Sequence, residues 1–225
     1  MTKNELNKIL ENHKLWLNDE GGECADLSGA DLRYVNLKGI DLRYTNLSGA
    51  DLSGADLRYA DLYDVDLNNT NLNGANLRYT GLMNTDLSGA NLSDTDLRYT
   101  SLNGANLNNV KTNMYTIGYN LACPEEGSFI GYKKAKDCII KLLIMEDSKR
   151  SSSTSIKCRC DKAKVLDIEK IDTGEKVESV PSDYDINFIY GVGEIVKVDD
   201  FDENRWNECS TGIHFFMNKQ NAIKY

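Results

Sequence analysis

Leucine stands at position 27 and at every fifth residue to 107, seventeen positions without a gap. The residue two before each leucine is Ala, Val, Ile or Thr. The residue immediately before it is Asp or Asn except at Gly81 and Ser101. A five-residue apolar period fits neither regular element. On an α-helix five residues advance ~500°, so successive leucines fall ~140° apart and cover every side. On a straight strand an odd spacing sends them to alternate faces. All the leucines point inward only if the backbone turns a corner once per repeat, in a solenoid whose repeats bury a shared core by stacking.

The flanking segments have ordinary periods. Residues 2–17, "TKNELNKILENHKLWL", place Leu6, Ile9, Leu10, His13, Trp16 and Leu17 at helical spacing, and Thr2 with Glu5 forms a capping-box pattern. "NDEGGE" ends this helix, which is expected to cap the open first repeat with His13 facing the cap or the surface. After "VKTNMYTIGYNLACP", a degenerate last stretch with Thr112 and Ile117 in register, strand-like runs cover 137–145, 155–171, 186–198 and 212–217, with a helical turn in "NKQNAIKY". The expected organisation is residues 1–24 as capping helix and linker, 25–122 as repeat, and 123–225 as an α+β domain with its own core.

Seventeen tandem copies of A-[DN]-L-x-x resemble the pentapeptide-repeat family, over about 40% of the chain. The resemblance implies a mainly β fold, a right-handed quadrilateral β-helix with four repeats per twenty-residue coil and here about four to five coils. It also supplies a precedent for DNA mimicry, in family members that bind DNA gyrase. This chain departs from those in its short stack, its pure-leucine centre and its additional C-terminal domain. The run "CPEEGSFIGYKKA … KRSSSTSIKCRC … ECSTGIHFF" resembles an uncharacterised domain that follows such repeats in bacterial and phage proteins, and brings no activity with it.

Charge sharpens the picture of the repeat surface. The chain carries a formal charge of -9 and a pI near 4.8, which opposes general attraction to nucleic acid or anionic membranes. Within the repeats, a twenty-residue register places Lys38, Arg58, Arg78 and Arg98 in one column, beside Gly39, Tyr59, Tyr79 and Tyr99. With Asp56 and Asp96 as its carboxylates, this face carries +2, whereas the other three sides are acidic. The column is read either as mutual stacking that stabilises coil edges or as a docking strip for a protein partner. Asp and Asn before each leucine are read either as corner hydrogen-bonders or as a DNA-like carboxylate array.

The C-terminal segment offers less chemistry. Arg150, Glu194 and His214 are weak candidates for a polar pocket, and His214 between apolar neighbours also reads as a structural histidine. Cys158, Cys160, Cys209 and His214 carry four potential zinc ligands, but C-x-C is a poor zinc spacing and packed thiols explain it, so no metal and no cofactor are expected. No apolar run approaches the ~18 residues of a membrane span, and six scattered cysteines suit a reducing cytoplasm. The sequence reading is a non-enzymatic binding or scaffold protein whose partner is another protein, not nucleic acid or membrane. A monomer is favoured, with a dimer through the C-terminal domain open. The alternatives are a gyrase-type DNA mimic and an unrecognised enzyme in the C-terminal domain.

Overall fold

A backbone that bends every five residues needs a residue at each bend that tolerates an unusual dihedral. In the computed structural model, which describes residues 1–225, the second residue after every leucine from 27 to 107 has φ between +56° and +74°. Seven of these corners are glycine, five are Asp or Asn, and five are tyrosine: Tyr34, Tyr44, Tyr59, Tyr79 and Tyr99. Glycine, Asn and Asp enter this left-handed region at little cost; tyrosine does not.

Between corners the chain is extended and pairs in parallel with the stretch twenty residues on, from Asp26 opposite Asn46 to Asn91 opposite Lys111. Each leucine N–H from Leu27 to Leu97 donates to a carbonyl of the next stretch, as Leu27 to Asn46 (2.7 Å) and Leu72 to Asn91 (2.9 Å). The leucines from 27 to 102 are at most 3% exposed. Where Thr replaces Ala at the inward position, its hydroxyl would be an orphan. Instead Thr70, Thr80, Thr85 and Thr95 donate to the carbonyls of Leu47, Leu57, Leu62 and Leu72 at 2.7–2.9 Å.

The chain divides into two compact units, Met1–Asn120 and Leu121–Tyr225. The first begins with helix α1 (Lys3–Leu17), whose capping box is formed as the sequence indicated. Its apolar stripe is narrower than the periodicity suggested: Leu6 and His13 are buried, Ile9, Leu10 and Leu17 half-buried, and Trp16 exposed. His13 is a cap-facing residue, not a surface one. Its Nδ1 accepts the Ala25 N–H (3.2 Å) and its Nε2 meets the Thr45 hydroxyl (3.3 Å), which ties the helix to the first repeats. Gly22 (φ +78°) lets the chain turn back along the helix, because a Cβ there would lie 2.2 Å from the Asn12 carbonyl oxygen.

At its other end the register slips by one residue: Asp96 pairs with Ile117, not with residue 116. Thr116 takes the inward place and donates to the Leu92 carbonyl (2.9 Å). Thr112 and Ile117, expected to keep register, are both exposed; the extra residue puts Ile117 opposite Asp96, in an outward place.

The second unit carries nine strands: β1 (Phe129–Ala135), β2 (Cys138–Ile144), β3 (Arg150–Ser152), β4 (Lys157–Cys160), β5 (Lys162–Lys170), β6 (Ser179–Pro181), β7 (Ile189–Gly191), β8 (Ile195–Lys197) and β9 (Ile213–Phe216). Seven form one antiparallel sheet in the order β3-β4-β9-β1-β2-β5-β8, and β6 pairs with β7. A six-residue helix, α2 (Lys219–Lys224), packs Ala222 against Ile139 and Phe216. One short helix beside nine strands makes this unit nearly all-β, where an α+β domain was expected. The single run expected over 155–171 is two strands parted at Asp161, and β1 was not anticipated. No helix in the chain is long and apolar enough to cross a membrane.

Candidate functional site

Lys38, Arg58, Arg78 and Arg98 and the tyrosines at 59, 79 and 99 stand in register on the repeats. The Tyr59 and Tyr79 rings stack at 5.0 Å with 3° between planes, and Tyr79 and Tyr99 at 4.9 Å with 5°. All three remain at least 40% exposed, so one flank of a parallel aromatic pile faces solvent. The Lys38 ammonium lies 5.6 Å from the Tyr59 ring centroid, and the Arg78 guanidinium 5.5 Å from that of Tyr79.

The cations of this column are not equivalent. Arg58 and Arg98 close fork-to-fork on Asp56 and Asp96, with Nε to Oδ1 at 2.8 and 2.9 Å and Nη2 to Oδ2 at 2.5 and 2.6 Å. These hydrogen bonds lower the Asp56 carboxyl pKa, whereas for Asp96 burial pulls upward and is outweighed by the bonds from Arg98. Lys38 and Arg78 follow Asn36 and Asn76, so neither has a carboxylate in its own repeat. Arg78 reaches only to 3.9 Å from Asp96, and its Nε is buried without a hydrogen-bond partner. Positive charge therefore concentrates at Lys38 and Arg78.

The residues before the leucines serve the backbone. At all fifteen Asp or Asn positions the side-chain Oδ1 accepts the N–H two residues on, closing an Asx turn that sets up the corner. Arg33 and Arg43 also clamp Asp31 and Asp41.

The three C-terminal candidates do not converge. Arg150 braces loops: Nη1 donates to the Gly127 carbonyl (2.7 Å), Nη2 to those of Met145 and Glu146 (both 2.8 Å), and the guanidinium lies over Phe129 (5.3 Å). Glu194 is exposed on the turn between β7 and β8. Only His214 lines a cavity of about 780 Å³ in this unit. Its Nε2 is buried and unpartnered, and burial, then Lys157, Lys133 and Arg159, depress its pKa to about 4.

Cys158 and Cys160 are wholly buried, and their Sγ atoms approach the carbonyls of Ile156 and Ile213. No group of three or more His, Cys, Asp or Glu is placed to hold a metal ion.

Two lysines that the sequence reading passed over share the cavity. Lys133 on β1 and Lys157 on β4 are 9% and 8% exposed. Lys157 Nζ donates to the Tyr225 hydroxyl (3.1 Å), whereas Lys133 lies over the Tyr190 ring (5.8 Å) and forms no ion pair. Burial lowers the Lys133 pKa.

Pentapeptide repeats, in eight copies, match residues 23–58, 60–97 and 82–111, and a family of unknown function, DUF5758, matches residues 119–222. No curated protein matches the sequence. Among solved structures, a pentapeptide repeat protein of the Arabidopsis thaliana thylakoid lumen is 25% identical over 43% of this chain, which spans 64% of that protein's length (TM-score 0.39). A pentapeptide repeat protein of Nostoc is 32% identical, over 47% of this chain and 80% of that one (TM-score 0.24). QnrB1, a plasmid-mediated fluoroquinolone resistance protein, is 27% identical over 40% of this chain and 59% of that one (TM-score 0.15). By its repeats the chain belongs to the pentapeptide-repeat family, with a DUF5758 domain following them.

Proposed function

We propose that the protein is a non-enzymatic binding or scaffold protein of the cytoplasm, in which residues 25–122 form a right-handed, four-sided β-helix of about four to five coils that displays a docking strip to a protein partner. Parallel pairing at a separation of twenty residues from Asp26 to Lys111 supports the coil. The observation that carries the docking reading is the exposed Tyr59–Tyr79–Tyr99 pile flanked by Lys38 and Arg78. Flat aromatic rings beside partly uncompensated cations are a favoured interface composition. A rigid pile also loses little side-chain entropy on binding.

The test is affinity capture from the native host's extract, with full-length wild type compared against a variant carrying Arg58→Ala, Arg78→Ala and Arg98→Ala. The expected result is loss of one specific protein from the captured set while Tm changes by only a few degrees, because exposed ion pairs stabilise little. An unchanged captured set, or a collapse in Tm, refutes the docking role. DNA mimicry is the alternative, supported by the acidic sides of the repeats. It requires that the purified protein inhibit gyrase supercoiling at tens of micromolar. An enzyme in residues 123–225 is the second alternative, supported by the neutral His214 in its cavity.

A further inference from the structure

A lysine that is buried without a counter-charge is costly, since desolvation of the ammonium is not repaid. The cavity of the C-terminal unit is lined by two nearly buried lysines; burial lowers the Lys133 pKa, Asp183 pulls it back up, and Lys157 adds to the lowering. Four aspartates also reach this cavity, but all four are exposed, and three are engaged elsewhere. Asp183 holds Lys136 (3.6 Å), Asp199 holds Lys197 (2.8 Å), and Asp185 accepts the Asn187 N–H (2.9 Å). Neither lysine forms an ion pair, so the interior keeps a positive charge that the exposed Asp183 offsets only in part, while its mouth is acidic.

The third interior group is His214 on β9, the strand between β4 and β1 in the sheet. The imidazole is met by the Glu208 backbone, and its Nε2 is buried without a hydrogen-bond partner in a residue that lines the cavity. Two ammonium donors and one imidazole nitrogen make three anchoring points. A carboxylate has two oxygens to offer them, whereas a phosphoryl group has three and, as the monoanion, its own O–H for the imidazole. The space is far larger than a bare phosphate, and Phe188, Tyr190, Ile213 and Phe216 give part of its wall an apolar and aromatic face.

We propose that this cavity binds an organic phosphate monoester, its phosphoryl oxygens meeting Lys133, Lys157 and His214 and its apolar body lying against Phe188, Tyr190 and Phe216. The site is independent of whatever the repeats bind. The acidic mouth favours a ligand with a single anionic end, because a second anion would face Asp183, Asp185, Asp199 and Asp200.

The test titrates full-length protein with phenyl phosphate, benzoate, inorganic phosphate and neutral benzamide, reading Tm and the His214 ring resonances. Phenyl phosphate is expected to raise Tm saturably and shift His214, with benzoate and inorganic phosphate at least about tenfold weaker and benzamide inert. Lys133→Met and Lys157→Met are each expected to weaken phenyl phosphate at least about tenfold. Ligand-free Lys133→Met should melt higher than wild type, since it loses a buried unpaired charge. The wild-type resonances supply the readout if a variant does not fold. Phenyl phosphate that moves neither observable overturns the proposal. So does benzamide acting as strongly as the ester, benzoate binding as tightly as the ester, or lysine variants that respond like wild type.

Discussion

Tyr79 occupies a corner with φ of +60° that asparagine enters more easily, so Tyr79→Asn relieves about 1 kcal/mol of backbone strain. The same change removes two stacked contacts, to Tyr59 at 5.0 Å and to Tyr99 at 4.9 Å, each contributing about 0.5–1.5 kcal/mol. With the stacks near the middle of that range, the variant is expected to lose about 1 kcal/mol net. Tyr34 provides the control. It has the same dihedral (φ +57°), but it is 82% exposed, and its ring lies over Gly54 with no aromatic neighbour. Tyr34→Asn should therefore stabilise, by up to about 1 kcal/mol. Native-state hydrogen exchange of the full chain reads both at once, through the amides of Leu32 and Leu77, which donate to the carbonyls of Asp51 and Asp96. Opposite signs, separated by roughly thirtyfold in protection, are expected. If both substitutions destabilise alike, or both stabilise, the ladder is not a balance of stacking against strain and the corner argument fails.

Leu72→Ala removes a wholly buried side chain in the middle of the stack and should cost 2–5 kcal/mol, read as a lower urea midpoint for the N-terminal unit; a loss under about 1 kcal/mol would show that the core is loosely packed. Because folded His214 has a pKa of about 4 against 6.5 in the unfolded chain, the unfolded state takes up the proton first. Its contribution is intact above about pH 6.5 and declines as pH falls toward 4, by up to about 3 kcal/mol. Urea melts of the C-terminal unit between about pH 7.5 and 4.5 should show this decline in wild type and a flatter profile in His214→Asn; parallel profiles would refute it. Burial lowers the His13 pKa too, so acid should also weaken the N-terminal unit in the same direction.

The leucine period was legible because five residues exclude both regular elements, and the capping box because its two partners are three residues apart. The corner geometry was only half legible. Gly, Asn and Asp recurring two residues after leucine are a left-handed signature, but tyrosine at the same position carries no such signal. The cavity was hardest to read. Lys133 lies in "YKKAK", a run that looks like an exposed loop, yet its β1 position alternates inward beside Gly131 and Ala135. Lys157, His214 and Tyr190 lie far from it in sequence, and only the strand order β4-β9-β1 gathers the first two beside it. Arg150 misled in the opposite sense: it was a candidate for a polar pocket, but its guanidinium is saturated by backbone carbonyls that no local pattern records.

The Asx turns separate charge from fold on the repeats. Asp and Asn both present the Oδ1 that accepts the N–H two residues on, so the corner is indifferent to which stands before the leucine. The choice is then free to set surface charge. On the ladder face Asn36 and Asn76 alternate with Asp56 and Asp96, which leaves Lys38 and Arg78 as the cations without a carboxylate in their own repeat. Converting Asn36→Asp and Asn76→Asp together keeps both turns and brings the face from +2 to neutral. Unlike the arginine deletions, it removes no side chain from the column. If the strip docks a partner through its cationic excess, capture should fall and on-rates should become less salt-dependent, while Tm stays nearly constant. If capture persists, the tyrosine faces alone carry recognition and the charge column is structural.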